Sequence, residues 1–197
     1  KKGGWQASTF FCPLDFGIQE LSGKTLGIIG FGDLGKAVAE IARAFGMQLL
    51  IAEHKDKPPR PGRTAFDEVI READFITLHC PFSPETHHLI SRREFELMKP
   101  SAYLINTARG ELVNEMDLLQ CLSTNRIAGA AIDVLQGEPP GEDNLLLRQR
   151  SENLIITPHI AWASRESRQR LLDQLAGNVE NFFQHKPFNQ ITDALGH

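Results

Sequence analysis

Two groups of residues have the types and spacing to do chemistry. The first is Gly30-Phe31-Gly32-Asp33-Leu34-Gly35, a GxGxxG. In such a loop the first glycine makes a tight turn, the second lets backbone approach a pyrophosphate, and the third lets a helix pack close to a strand. The loop works only between a strand and a helix, whose free amides and positive dipole end then face the anion. Glu53 follows 53 − 35 = 18 residues after Gly35, near where an acid takes hydrogen bonds from an adenosine ribose. A carboxylate there repels a 2′-phosphate and favours NAD over NADP; His54 and Lys55, directly after it, pull the other way. The plainer readings are a strand–helix turn without a ligand and a solvated acid at a strand end.

The second group is Arg109, Glu138 and His159. Each lies on a loop that follows an apolar, strand-like run. An arginine forks onto a carboxylate and polarises a carbonyl. A histidine gives a proton to a carbonyl oxygen or takes it back. A glutamate on the other imidazole nitrogen fixes the tautomer. Together these types suit hydride chemistry on a 2-oxo or 2-hydroxy acid. Spacing alone does not join them, since a lone loop histidine is more often structural than catalytic. A fold must bring the three loops to one edge.

The elements that would do so are legible in the hydrophobic pattern. Short apolar runs predict strands at residues 26–29, 48–52, 75–79, 102–105, 127–132 and 154–156. Between them, helices are expected over 34–45, 66–71, 91–98, 114–123 and 164–185. The first carries Leu34, Val38, Ile41, Ala42 and Phe45 on one face and stops at Gly46; the last carries an apolar stripe of Leu171, Leu172, Leu175, Val179, Phe182 and Phe183. Ser91 and Glu94 have the spacing of a capping box, and Asn114 that of a helix cap. Residues 57–62 hold three prolines and residues 136–144 are rich in proline, glycine and acids, so both read as loops. Alternating strands and helices predict an α/β fold with a doubly wound parallel sheet. An aromatic-rich arm precedes it, with Trp5, Phe10, Phe11, Leu14, Phe16 and Ile18.

Composition narrows the field. With 197 residues, 41% hydrophobic and 23% charged, the chain suits one folded domain and excludes extensive disorder. The net charge of −4 lacks the basic excess of a nucleic-acid footprint. No apolar run reaches membrane-spanning length, so no membrane role is expected. Cys12, Cys80 and Cys121 are scattered and form no metal-ligating cluster with histidines, which points to a reducing, cytoplasmic setting.

From Trp5 to about Phe183 the chain resembles the nucleotide-binding domain of the D-isomer-specific 2-hydroxyacid dehydrogenases. The resemblance is carried by residues 21–35, by Leu78-His79-Cys80-Pro81 with Glu85-Thr86, and by residues 104–113 around Asn106-Thr107-Ala108-Arg109-Gly110. Ala131-Ile132-Asp133-Val134 with Glu138-Pro139 and Thr157-Pro158-His159-Ile160 complete it. Residues 159–164, with Trp162, and the opening Gly4-Trp5-Gln6 are similar to the glycerate dehydrogenase, or hydroxypyruvate reductase, branch.

The resemblance implies a Rossmann-type fold, NAD as cofactor, and Arg109, Glu138 and His159 as catalytic residues. It places the acid for the nicotinamide carboxamide at Asp133. It places Cys80, Pro81, Thr86, Thr107 and Ala108 along the cofactor cleft, with Arg109 and His159 at its reacting end. It divides the chain into an arm and crossover (1–22), a cofactor domain (23–163), and a helix and tail (164–197) leading to a substrate domain for which the chain has no room. It implies a small 2-oxo or 2-hydroxy acid as substrate, a homodimer through the cofactor domain, and, as the alternative, a corepressor-like regulatory protein of the same fold.

Overall fold

Short apolar runs without polar alternation have no solvated face to offer, so they pair with like runs inside a covered sheet. Six do so here: β1 (Thr25–Ile29), β2 (Gln48–Ile51), β3 (Phe75–Leu78), β4 (Tyr103–Asn106), β5 (Gly129–Ile132) and β6 (Leu154–Ile156). All pair in parallel, in the order β2-β1-β3-β4-β5-β6. The computed structural model describes residues 6, 8–12, 17–149 and 151–190. Its helices are α1 (Asp33–Ala44), α2 (Phe66–Glu72), α3 (Arg92–Leu97), α4 (Glu115–Ser123), α5 (Leu145–Arg148) and α6 (Arg165–Phe183). This is the doubly wound α/β arrangement that the alternation predicts. The chain goes from β1 to β2 on one side, then returns past β1 to β3 on the other. The strand order therefore reverses between β1 and β3, the point where such sheets hold ligands beyond their carboxyl ends.

The boundaries follow local chemistry. The Glu94 carboxylate accepts from the Ser91 amide (3.1 Å) and hydroxyl (2.8 Å), which anchors the start of α3. Asn114 accepts from the Asp117 amide (3.1 Å) at the start of α4, and Ser164 from the Ser167 amide (3.1 Å) at the start of α6. Two further short elements lie between the expected ones. One is a 3₁₀ turn over Gly110–Leu112; the other is α5, capped by Asn144.

The core is uneven. On one sheet face, Phe66, Ile70, Phe95, Leu118 and Leu146 from α2–α5 pack on Ile76, Leu104 and Ile132. On the other face a smaller cluster of Leu26, Ile28, Ala39 and Ala42 lies under α1. Beyond it, Tyr103 and Ile155 of β4 and β6 stay exposed.

One expectation about faces is corrected. Helix α1 buries Gly35, Ala39 and Ala42, not the larger residues; Leu34, Ile41 and Phe45 are exposed. The reason is proximity: a Cβ at Gly35 would meet the Gly30 carbonyl oxygen at 2.2 Å, so the helix approaches the sheet on its small-residue side. Helix α6 buries none of its residues, and its whole apolar stripe from Leu171 to Phe183 is exposed. Of the aromatic arm, Phe10 and Phe11 are also exposed; Trp5, Leu14 and Phe16 lie outside the described residues. No helix of the described residues is long and apolar enough to cross a membrane.

Candidate functional site

The glycine loop turns directly out of β1 into α1. Gly30 has φ +92, and a Cβ there would meet the Cys80 amide nitrogen at 2.4 Å, so only glycine fits between the ends of β1 and β3. Gly32 differs: a Cβ there meets nothing within 4 Å. The protein's own packing does not demand glycine at 32; an approaching ligand would. Gly32 caps α1 without any side-chain cap, so the first-turn amides remain open to an anion. A cleft of about 430 Å³ lies here, lined by Gly30, Phe31, Gly32, Glu53, Pro81 and Thr86 among others. A bare helix start, an unfilled glycine and a cleft at the reversal point fit a dinucleotide.

The other expected cofactor residues divide. Cys80 borders the cleft, and burial pushes its thiol up to about 11, so it is a neutral wall and not a nucleophile. Thr86 donates to the Pro81 carbonyl (2.9 Å) and accepts from the Ser83 amide (2.7 Å), shaping the turn that forms the cleft wall. Asp33 and Leu34 are exposed and outside that wall. Thr107 and Ala108 do not line it either; they lie past β4, one strand further along the edge.

Glu53 is buried, and its carboxylate is fully engaged by protein. Oε1 accepts from the His54 amide (2.9 Å) and Arg60 Nη2 (2.8 Å), and Oε2 from the Arg60 amide (3.2 Å) and Nε (2.6 Å). The Arg60 guanidinium, then the His54 amide, hold the carboxyl down at about 2. The expected role of a ribose acceptor is thus pre-empted by a residue from the proline loop.

The three residues expected to react are brought to one edge by neighbouring strands. Arg109 follows β4, Glu138 follows β5 and His159 follows β6. His159 Nδ1 lies 2.5 Å from Glu138 Oε2. A carboxylate only accepts, so Nδ1 carries the hydrogen and Nε2 is left for a substrate. Glu138 Oε1 accepts from the Leu135 amide (2.8 Å), which fixes the carboxylate from behind. Arg109 is exposed, with Nη1 on its neighbour Ala108's carbonyl (2.6 Å), and no hydrogen bond joins it to Glu138 or His159 among the described residues. Its loop is nonetheless seated against theirs: a Cβ at Gly110 would meet the Leu135 carbonyl carbon at 2.1 Å. A cavity of about 570 Å³ beside Glu138 and His159 is walled by Leu135, Pro139, Pro140 and Ile156.

Asp133 does more than the sequence suggests. His159 has φ +51, uncommon outside glycine, and its amide donates to the Asp133 carbonyl (2.8 Å). The Asp133 carboxylate accepts from the Thr157 hydroxyl (2.5 Å) and from the amides of Ile160 (2.9 Å) and Ala161 (2.9 Å). Burial works to raise its pKa, but these donors outweigh it and hold the carboxyl below its ordinary value. Asp133 is therefore a clasp around His159 as well as a candidate carboxamide contact.

Three positioning residues escaped sequence reasoning. Buried Asn106 donates to the Arg109 carbonyl (2.8 Å) and accepts from the Ala108 amide (3.0 Å), clamping the arginine loop. Glu115 accepts from the Gln136 amide (2.8 Å) and the Asn144 side chain (3.1 Å), bracing both ends of the Glu138 loop. Arg60 holds Glu53. Asn106 had a signal, as a polar residue closing an apolar strand; Glu115 and Arg60 act over 21 and 7 residues with no pattern to mark them.

A fold and site of this kind define a nucleotide-binding domain of an oxidoreductase family. Residues 1–161 match the D-isomer specific 2-hydroxyacid dehydrogenase, NAD binding domain. The chain belongs to that family, as its NAD-binding domain. It is 46% identical over 191 residues to a glycerate dehydrogenase of Methylorubrum extorquens, covering 97% of this chain and 60% of that protein. It is 38% identical over 194 residues to a hydroxypyruvate reductase of Blautia hydrogenotrophica, covering 96% and 60%. The NAD complex of a D-isomer specific 2-hydroxyacid dehydrogenase from Lactobacillus delbrueckii ssp. bulgaricus superposes with a TM-score of 0.76 at 31% identity, over 89% of this chain and 57% of that one. The chain thus spans about 60% of the length of these relatives.

Proposed function

We propose that the chain is the cofactor-holding part of an oxidoreductase that interconverts a D-2-hydroxy acid and its 2-oxo acid, with glycerate and hydroxypyruvate as the favoured pair. The observation that carries this reading is the 2.5 Å contact between His159 Nδ1 and Glu138 Oε2, which dedicates Nε2 to proton exchange. When bound, NAD(H) supplies or takes the hydride. The residues of this chain do the rest. The Gly30–Gly35 loop and the first-turn amides of α1 hold the pyrophosphate, Asp133 borders the carboxamide, and Arg109 leaves its resting place on Ala108 to hold the substrate carboxylate. His159 Nε2 protonates the carbonyl oxygen during reduction and recovers the proton in oxidation, while Glu138 keeps the ring oriented. Residues 23–163 form the cofactor domain in this reading. Residues 1–22 and 164–197 lead to the remainder of the protein, which closes over the substrate.

The exposed stripe of α6, the outer face of α1 and Phe10 and Phe11 support a homodimer that covers them. The test of function is turnover by the full-length protein on hydroxypyruvate, glyoxylate and pyruvate. His159→Gln should lower kcat by ~10²–10⁴ without loss of NADH binding, the range for a missing general acid. Arg109→Gln should raise KM as well as lower kcat. Unchanged kcat in His159→Gln would remove the histidine from the reaction.

A further inference from the structure

The Glu53–Arg60 pair changes what the adenosine end of the cleft offers. An ionised carboxylate has about four acceptor sites, and Glu53 already has four donors on it: the His54 and Arg60 amides and two nitrogens of the Arg60 side chain. No site remains for a ribose hydroxyl, and the negative charge is compensated at contact distance. The Glu53 side chain is 2% exposed and that of Arg60 is 63% exposed. A ligand therefore meets the guanidinium. Two of its five N–H groups are on Glu53, and three are left to donate.

The surroundings have the same sign. Residues 53–63 carry Lys55, Lys57, Arg60 and Arg63 against Glu53 and Asp56, a local balance of 4 − 2 = +2 in a chain of net charge −4. Lys55 is held by Glu94 at 2.8 Å. Arg63 lies over the Phe31 ring of the glycine loop, 5.1 Å from its centroid, and has no carboxylate in ion-pair range among the described residues. His54, Lys57, Arg60 and Arg63 line the cleft together with Gly30 and Gly32. One acid of that wall other than Glu53, Glu85, stands on the opposite side, on the loop after β3, where the Ser83 hydroxyl donates to it at 2.7 Å.

We propose that this end of the cleft accepts a phosphate monoester at the adenosine 2′ position, so that the chain binds NADP(H) comparably to NAD(H). The inference rests on reading the cleft as the dinucleotide site, and it replaces the expectation that Glu53 selects for NAD by repulsion. An arginine fork suits a phosphate, which it grips through two parallel N–H bonds. Arg60 reaches it with its free edge while its other edge stays on Glu53; Lys57 and Arg63 add charge at the rim.

The experiment is titration of this chain with NADH and with NADPH, read by nucleotide fluorescence and calorimetry, with 2′,5′-ADP against 5′-ADP as competitors. Dissociation constants for NADH and NADPH within about tenfold of each other are expected, with 2′,5′-ADP competing at least as well as 5′-ADP. Arg60→Ala removes a cation and releases the Glu53 carboxylate, so it should shift the ratio of the two constants toward NADH by about tenfold or more. Glu53→Gln should move that ratio little. NADPH weaker than NADH by more than about tenfold in the unmodified chain overturns the inference. So does a shift toward NADPH of that size in Glu53→Gln, since it would mean the acid had been selecting. Failure of the folded chain to bind NADH at all would overturn the cofactor-site reading instead. If Arg60→Ala does not fold, the competitor pair on the unmodified chain decides alone.

Discussion

Replacing Asp133 with asparagine tests how the histidine loop is held. The substitution keeps size and shape and removes charge and one acceptor. Oδ1 takes two donors, the Thr157 hydroxyl and the Ile160 amide, so the amide oxygen of asparagine settles there. The new NH₂ then faces the Ala161 amide across 2.9 Å, donor against donor. One hydrogen bond to a charged acceptor is lost, worth about 1.5–3 kcal/mol, and two others weaken from charged to neutral. Two effects work in the opposite direction: a buried charge disappears, and the part-buried Ala161 amide, on an exposed residue, can turn toward water. The net expectation is a loss of about 2 kcal/mol at neutral pH.

The sign of the pH dependence is a second check. Asp133 is held below its ordinary value of 3.8, so its contribution is present above the unfolded pKa and is lost as pH falls through the folded one. The gap between the unmodified chain and Asp133→Asn should therefore close on acidification. Urea unfolding followed by far-UV circular dichroism, at neutral pH and below the ordinary aspartate range, measures both. A gap below about 0.5 kcal/mol at neutral pH, or one that does not shrink in acid, would refute the clasp.

The two glycines of the loop should part company. Gly32→Ala meets nothing within 4 Å and should leave stability unchanged within about 0.5 kcal/mol while weakening NADH binding about tenfold or more; Gly35→Ala, facing the Gly30 carbonyl oxygen at 2.2 Å, should lower the thermal midpoint as well. Light scattering of this chain should give twice 22.0 kDa, and a monomer at high concentration would leave the α6 stripe without its proposed cover.

The sheet and its order of elements were legible because buried parallel strands announce themselves as unbroken apolar runs, and the glycine loop because turn geometry restricts residue type. Arg109, Glu138 and His159 could be nominated from type and place in the chain, yet only the fold brings Glu138 against His159, across 21 residues. The buried face of α1 is not legible from hydrophobicity, which carries no distances: Leu34, Ile41 and Phe45 are more apolar than Gly35 and Ala39, but only the small residues tolerate the approach to β1. The hold of Arg60 on Glu53 was illegible for another reason. It depends on how a three-proline loop folds back, and neither period nor propensity encodes that path.

His159 rides on the end of β6, a three-residue strand paired on one side only. Such margins fray first, and amide exchange there should run ahead of β1 and β3 in the middle of the sheet. Asp133 ties the histidine loop to β5, one strand further in, so the proposed proton-transfer end borrows the firmness of its neighbour. The nucleotide end needs no such loan. Partial unfolding from this margin would disable the proposed proton exchange while leaving the proposed nucleotide cleft intact, and limited proteolysis in the presence of nucleotide should cut beyond Thr157 before it reaches the glycine loop.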